Sequence, residues 1–454
     1  MSEIGNSQSE VIEHAAREIV ARLREHGHEA FFAGGCVRDR LLGRPSKDID
    51  IATSAGPDEV QHLFPDSHAV GKAFGVVIVE QSGFAFEIAT FREEGPYSDG
   101  RRPDSVSFTD AEHDAQRRDF TINALFFDPT SDQVLDYING QEDLKQGIVR
   151  AVGDPATRFE EDHLRMLRAV RFAATLEFSL APATETAIQT SARLIRRISA
   201  ERIRDEILRT LTEAIKPGDA LQLWHELGLL QEMLPEVEAL IGVEQPPAFH
   251  PEGDVFTHTK LMLDHLGPPP RDPVLVFAVL LHDIGKPATK SWGPGSDGED
   301  RIRFDGHDRV GAEIAEQILR RLRCSNALID AVTTCVRNHM RFMHVQEMRK
   351  AKLRRWLKEP TFPIELELHR VDCLSSHADL SNYDFVKQRV GEWANEPKLP
   401  DPWISGADLI KCGLSEGPRI GHWKREAYAR QLDGMEPDRD ALLKWLKTQL
   451  AEDR

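Results

Sequence analysis

Cysteine is scarce in this chain. There are five, an odd number, and none stands at metal-type spacing. That excludes a disulfide framework, and Cys36, Cys324, Cys335, Cys373 and Cys412 read as reduced packing residues. Apolar runs long enough to span a bilayer are also missing, which excludes a membrane-crossing helix. The N-terminus is polar and acidic, unlike a signal peptide, so the expected location is the cytoplasm, with no membrane partner. Positive charge is in deficit, with 57 Lys and Arg against 75 Asp and Glu for a net charge of −18. Such a balance argues against a generic nucleic-acid coat protein. Internal repeats and low-complexity tracts do not occur.

What is present is 454 residues with uneven charge. A chain of that length exceeds one core, and three or more domains are expected. Residues 1–150 carry 15 Lys and Arg against 27 Asp and Glu, whereas residues 301–358 carry 14 against 6. An acidic half followed by basic helices suits a protein that grips a polyanion away from its chemistry, although solvated helix faces account for the charges equally well.

The most informative stretch runs from Gly34 to Asp50. Gly34 and Gly35 follow the apolar run Ala30 to Ala33, and a short helical pattern follows with Val37, Leu41 and Leu42 on one face. After the breaker Gly43 to Ser46 comes Asp48-Ile49-Asp50-Ile51-Ala52. As a strand, it places Asp48 and Asp50 on one face. Two adjacent carboxylates repel and call for cations, for which paired Mg²⁺ ions are suited because they prefer oxygen ligands and bridge to phosphates. The glycines let a phosphate approach the backbone, and the helix start offers free N–H groups. Together these parts suggest metal-assisted phosphoryl or nucleotidyl transfer. A D-x-D at a strand end is more often solvated than catalytic, so the downstream pattern matters.

The periodicity predicts a helix over 8–27 with Val11, Ala15, Ile19 and Leu23 inward, and another over 56–64. Phe74 to Val79 and Phe84 to Ala89 read as paired strands around Ser82-Gly83. Glu87 on the second strand could add a third carboxylate beside Asp48 and Asp50, or lie exposed. Residues 92–104 read as a mobile loop. Arg117 to Leu125 is expected to begin a helix capped by Asp119, with Arg117-Arg118 as a phosphate clamp or a surface pair. Phe126-Phe127 and Val134 to Tyr137 suggest two further strands.

From Arg158 the pattern is helical. Asp162 and Arg165 stand three apart and are expected to share a helix face. They make either an ordinary ion pair or a base reader. A guanidinium donating to a ring nitrogen and a carboxylate accepting from an exocyclic amine suits cytosine and adenine. Guanine and uracil would be left with unpaired polar groups.

Gly34-Gly35-x-x-Arg38-Asp39, Asp48-x-Asp50, the Arg117 to Ala124 run and Glu161-Asp162-x-x-Arg165 resemble, in this order, the class II tRNA nucleotidyltransferase / poly(A) polymerase family over roughly residues 29–245. The resemblance implies an α+β fold, with a nucleotidyltransferase palm followed by all-α neck, body, HD and tail regions. It implies that Asp48 and Asp50 are catalytic and bind Mg²⁺. It implies that Gly34, Gly35 and Arg38 hold the triphosphate, and that Arg117, Asp119 and Asn123 contact sugar and phosphates. Asp162 and Arg165 would be the template for incoming CTP and ATP, with Glu161 orienting Arg165. The loop near 92–104 matches the segment that members use in switching from C to A addition.

A second constellation occupies residues 250–385. Leu280-Leu281-His282-Asp283-Ile284-Gly285-Lys286-Pro287 resembles the HD phosphohydrolase superfamily, which implies a metal set of His258, His282, Asp283 and Asp372. His307 and His339 are candidates for a second metal, and Asp379 and Asp384 compete with Asp372. A transition metal such as Ni²⁺ or Mn²⁺ would activate water there while Lys286 stabilises phosphate. The rival is a scaffold that only packs and binds RNA.

Toward the C-terminus, residues 349–358 read as a basic helix with Leu353, Trp356 and Leu357 inward. Gly413 to Gly421 resembles the tail of bacterial members, with glycine turns that either meet an RNA phosphate or serve the fold.

The expected organisation is a palm at 1–150, a neck at 151–217, a body at 218–249, an HD domain at 250–385 and a tail at 386–454. The expected function is addition of C, C and A to tRNA 3′ ends from CTP and ATP, with a possible phosphohydrolase in the HD domain. The alternatives are a poly(A) polymerase, an A-adding tRNA enzyme, an HD phosphohydrolase with a vestigial transferase, and an RNA-binding scaffold.

Overall fold

The computed structural model describes residues 2–46, 48–69, 74–97, 100–294, 298, 300–393, 400–415 and 417–452, with side chains from residue 10 onward. Lys47 within the Gly34–Asp50 stretch, Ser98 and Asp99 within the expected loop, residues 394–399 at the start of the expected tail and Glu416 in its glycine segment lie outside the described residues. The chain divides into two compact units. The first is 1–239 with 267–271 and 321–324, and the second is 240–266, 272–320 and 325–454. No described helix is long and apolar enough to cross a membrane.

The first unit is built on a mixed sheet. Its strands are β1 Ala30–Ala33, β2 Asp50–Thr53, β3 His68–Ala69, β4 Val76–Gln81 and β5 Phe84–Thr90. After a separate pair, β6 Arg92–Glu94 and β7 Val106–Phe108, come β8 Phe126–Asp128 and β9 Gln133–Leu135. The spatial order in the sheet is β3-β4-β5-β2-β1-β8-β9. Among the described residues of this sheet β2 and β5 are the one parallel pair, with Ile51 opposite Ile88. The period of two divides the apolar residues between faces. Phe32, Ile51, Val77 and Ile88 pack with Ala15, Ile19, Val20 and Leu23 of the helix Ser2–Glu25, while Phe31, Ala33, Ala52, Phe91 and Phe126 form the opposite core.

Several local expectations need correction. Val11 is 48% exposed, and the buried stripe instead runs through Ala15, Ala16, Ile19, Val20 and Leu23. The strand holding Asp50 starts at Asp50 itself, so Asp48 precedes it. Residues 117–125 form no α-helix. Thr121–Asn123 is a single 3₁₀ turn, and Asp119 binds the N–H of Phe120 and the amide of Asn123 without capping a helix. The helical run from 158 breaks in the middle. Pro155–Glu161 ends at Asp162, whose backbone is extended, and Arg165–Leu176 begins after Leu164. Asp162 accepts from the Leu164 N–H at 3.1 Å, a local alternative to continuing the helix. Asp162 and Arg165 therefore do not share a helix face.

Beyond this break the unit is helical through Pro235–Glu238 apart from the short strand Ser179–Leu180, which pairs in parallel with Ile148–Val149 and which the all-α expectation lacked; Pro217–Glu226 ends just before Gly228, which takes a left-handed conformation.

Among its described residues the second unit is helical except for the hairpin Ser291–Pro294 with Asp300–Arg303, which the all-α expectation lacked. Pro273–Leu281 is apolar on every side and lies at its centre, with Leu275 to Leu281 all buried. A smaller cluster of Phe342, Val345, Leu353, Trp356 and Phe362 fixes the basic helix Lys350–Trp356. Near the C-terminus, Leu409, Trp423, Ala427, Leu442 and Leu446 close a further core.

Candidate functional site

In the first unit the sequence-selected residues surround one cavity of about 930 Å³. Gly34, Gly35, Arg38, Asp48, Asp50, Arg117, Asp119, Asn123, Asp162 and Arg165 all line it, as does Glu87. The parallel register sets Asp50 beside Glu87, one residue before the Ile51–Ile88 pair. Burial pushes the Asp50 carboxyl up to about 6. Glu87 and Asp48 add repulsion, and Arg118 opposes them. This excess of hard oxygen donors fits Mg²⁺. Among the described residues, the tight donor triads all lie in the second unit, so the palm carboxylates face one space without converging as closely.

The Gly34–Arg38 wall of the cavity is closely packed. Gly34 takes φ +75, and a Cβ there would meet Arg118 Nη1 at 3.1 Å. Arg38 donates to Asn123 Oδ1 at 2.7 Å and to Asp39 at 2.9 Å, and its guanidinium lies 5.1 Å from the Phe172 ring centre. Asp119 joins Asn123 to Arg168, accepting from Arg168 Nη2 at 2.6 Å. Burial alone would raise the Asp119 pKa, but Arg168 outweighs burial and holds it at about 2.

Three of these supporting residues were missed in the sequence. Asp114 is buried and takes Arg117 at 2.7 Å and Arg118 at 3.0 Å. Its position three and four residues before the arginines was the available signal. Glu94 takes Arg117 at 3.1 Å. Arg168, which anchors Asp119, had no signal beyond its place one turn after Arg165.

Asp162 and Arg165 do not pair with each other. Arg165 pairs with Glu161 and donates to the Arg158 carbonyl at 3.1 Å, while Asp162 pairs with Arg202 at 2.8 Å. Between them His163 is buried with Nε2 unpartnered, and its N–H meets the Gly100 carbonyl at 3.4 Å. Gly100, at φ +65, is seated so closely that a Cβ would come 2.5 Å from His163 Nε2.

In the second unit a row of imidazoles joins two carboxylates. His258 Nε2 lies 3.1 Å from Asp372 Oδ1, and His282 Nε2 lies 3.0 Å from Asp283 Oδ2, both off the line of a hydrogen bond. His307 and His339 approach Asp283 Oδ1 at 3.4 and 3.8 Å, with their Nε2 atoms 3.0 Å apart. His258, His282 and Asp372 form one donor triad, and Asp283, His307 and His339 form another. Unpartnered buried nitrogens beside carboxylates fit a divalent transition metal. Asp379 is exposed and instead accepts from the Ser381 N–H.

Glu252, also missed in the sequence, takes the Nδ1 atoms of His258 at 2.6 Å and His250 at 2.9 Å. Burial opposes protonation of His258, but Asp372 and Glu252 outweigh it and hold the ring at about 9. His339 is pushed down to about 4 by burial and then by His307. Lys286 does not stand open to a phosphate, because its ammonium is taken by Asp283 and Gln245, each at 2.6 Å. Gly285 lets two segments meet, since a Cβ there would come 2.6 Å from the Gly311 nitrogen and closer still to the His307 carbonyl.

Three family profiles match the chain in sequence order. They are the "Poly A polymerase head domain" at residues 30–150, the "Probable RNA and SrmB- binding site of polymerase A" at 177–241 and the "HD domain" at 254–376. The CCA-adding enzyme of Geobacillus thermodenitrificans is 48% identical over 212 residues, 46% of this chain and 52% of that protein. The chain thus spans about half the length of the curated relatives it matches. The crystal structure of the Bacillus stearothermophilus CCA-adding enzyme in complex with CTP has a TM-score of 0.69 at 27% identity, covering 97% of this chain and 98% of that one. The Thermotoga maritima CCA-adding enzyme complexed with tRNA-CCA shares the fold at a TM-score of 0.60 and 19% identity, over 96% and 94%. Residues 30–241 thus carry the poly(A) polymerase head and RNA-binding profiles in tandem, and an HD domain follows at residues 254–376.

Proposed function

We propose that the protein adds C, C and A to tRNA 3′ ends from CTP and ATP, without a nucleic-acid template. The carrying observation is that Asp48, Asp50, Asp162 and Arg165 line a single cavity with Arg38 and Arg117. Asp48 and Asp50 would hold Mg²⁺, with Glu87 beside them. Such ions, when bound, lower the pKa of the RNA 3′-hydroxyl and neutralise charge at the α-phosphate. Gly34, Gly35 and Arg38 hold the triphosphate, and Arg117 and Asn123 position it against the sugar. Asp119 keeps Asn123 and Arg168 fixed. Arg165 donates to a ring nitrogen and Asp162 accepts an exocyclic amine, which selects C and A over G and U.

Relatives named as CCA-adding enzymes, one of them crystallised with CTP, support this reading. It assigns the palm to 1–150, the neck to 151–217, the body to 218–249, the HD domain to 250–385 and the tail to 386–454, and it places the protein in the cytoplasm. The test is incubation with tRNA lacking its 3′ end and labelled CTP or ATP. Three ordered additions are expected, whereas long A tracts on generic RNA would identify a poly(A) polymerase.

A second activity is favoured by the donor triads His258–His282–Asp372, with Asp372 half-buried, and Asp283–His307–His339, all buried. In this reading His258, His282, Asp283 and Asp372 would hold a transition metal, with His307 and His339 available for a second. The metal, when bound, activates water for phosphate-ester hydrolysis. Ni²⁺- or Mn²⁺-dependent hydrolysis that persisted after substitution of His282 and Asp283 would refute it.

A further inference from the structure

Arg38, Asn123, Asp119, Arg168 and Phe172 all line the cavity of the first unit, and they close on one another in a circuit. Arg38 Nη1 donates to Asn123 Oδ1 at 2.7 Å, and Asn123 Nδ2 donates to Asp119 Oδ1 at 3.1 Å. Asp119 Oδ2 accepts from Arg168 Nε at 3.0 Å and from Nη2 at 2.6 Å. The return from Arg168 to Arg38 runs through a ring. Their guanidinium carbons stand over Phe172, 5.3 and 5.1 Å from its centre.

Arg168 and Phe172 stand four apart on the helix Arg165–Leu176, so their spacing alone sets one beside the other. Arg38 reaches the same ring from the separate helix Gly35–Leu41. Phe120 meets the ring edge-on, at 5.6 Å and 76°, and braces it. The Arg171 guanidinium also lies over the ring, at 4.3 Å, and is itself held by Glu206 at 2.8 Å. Three like charges thus gather on one apolar group. Packing alone would be served by a leucine. A ring adds a face of negative potential that attracts guanidiniums, more strongly where water is excluded, and Arg38 is buried.

Arg38 also stands against the glycine turn, since a Cβ on Gly35 would lie 3.7 Å from Arg38 Nη2. A guanidinium meets phosphate oxygens through a planar fork, so the direction of its plane decides how well it binds. We propose that Phe172 is a positioning residue for the triphosphate of the incoming nucleotide. It acts by holding the Arg38 fork in plane, with Arg168 closing the circuit behind it. The proposal rests on the transferase reading for the identity of the polyphosphate. Base selection stays with Asp162 and Arg165, so CTP and ATP depend on Phe172 alike.

The test uses the full chain with Mg²⁺. Binding of CTP, ATP and inorganic triphosphate is measured by calorimetry, and addition to tRNA lacking its 3′ end is followed in parallel. Phe172→Leu keeps an apolar side chain and loses the ring. It is expected to weaken all three ligands about tenfold, raising KM for CTP and ATP equally, with kcat and the preference for C and A over G and U kept. Phe172→Tyr retains the ring and is expected to recover most of the affinity. A thermal melt checks that each variant is folded at the assay temperature, and Phe172→Met takes the place of Phe172→Leu if the latter is not. If the wild type adds no nucleotide to tRNA but Phe172→Leu still weakens inorganic triphosphate, the transferase reading fails and the positioning role stands. The proposal is overturned if Phe172→Leu binds triphosphate as the wild type does, if it lowers kcat and leaves KM unchanged as a purely structural residue would, or if Phe172→Tyr loses as much.

Discussion

Glu252 Oε1 receives His258 Nδ1 at 2.6 Å, and the opposite nitrogen of the same ring lies 3.1 Å from Asp372. With a metal bound, the carboxylate would keep the remaining proton on Nδ1 and leave the Nε2 lone pair for the ion. Supporting carboxylates of this kind typically contribute 10–100-fold to metal affinity. We predict that Glu252→Ala weakens Ni²⁺ or Mn²⁺ binding by about that factor, measured by metal titration, with Glu252→Gln recovering part of it. Equal affinity in wild type and Glu252→Ala would show that Glu252 does not position the ring.

Removing Asp48 or Asp50 should separate catalysis from stability. Loss of ion binding is expected to lower nucleotide addition by about 10³-fold or more, corresponding to several kcal/mol at the transition state. Asp50 is repelled by Glu87 and Asp48 in the folded chain. Its replacement by alanine should therefore leave the melting temperature unchanged or slightly raised. Primer extension and a thermal melt on the same preparation check both outcomes, and undiminished extension would remove the basis of the transferase reading.

Glu161 pairs with Arg165, which the Arg158 carbonyl also holds. A charge-assisted hydrogen bond of this type contributes about 1.5–3 kcal/mol. Glu161→Ala is therefore expected to erode discrimination against UTP and GTP by about tenfold. Incorporation of each nucleotide by itself measures the effect, and unchanged selectivity would mean that Arg165 is aligned without Glu161.

Asp119 provides a pH dependence whose sign can be worked out. Its carboxyl sits at about 2 in the fold against an ordinary 3.8. The unfolded chain therefore takes up the proton first. The stabilisation is fully present above about pH 4 and is lost as pH falls toward 2, on the order of 2 kcal/mol in all. Asp119→Asn should flatten this acid limb in denaturant titrations. An unaltered slope would show that another group carries it.

Gly100 at φ +65 leaves no room for a side chain against His163. Gly100→Val should displace this loop residue from the template segment. On the reading that the loop serves the switch from C to A, tRNA ending in CC should accumulate while C addition continues. Normal completion to CCA would separate the loop contact from the switch.

The parts legible in the sequence were those with short, dense patterns. Gly34-Gly35, Asp48-x-Asp50 and His282-Asp283 marked the two cavities because several chemically costly residues stood close together in the chain. The supporting groups were harder to read. Arg168 meets Asp119 across 49 positions, and Glu252 meets His258 from a loop, so neither is visible as a periodicity. The break at Asp162 was missed because the apolar stripe continues through it, while local side-chain bonding to the Leu164 N–H decides the backbone. The hairpin at Ser291–Arg303 was missed for a related reason. Its strands are short and largely exposed, with Trp292 68% exposed, so little apolar alternation marks them.

Gly285 has no side chain to offer a ligand atom, yet a methyl group there would collide with the His307 carbonyl and the Gly311 backbone. The separation between the His282–Asp283 corner and His307 is thus set by an atom that is missing. Enlarging position 285 would act as a wedge, producing the symptoms of a lost ligand while every ligand stayed in place, and only a compensating retreat elsewhere in the 307–321 helix could close the gap again.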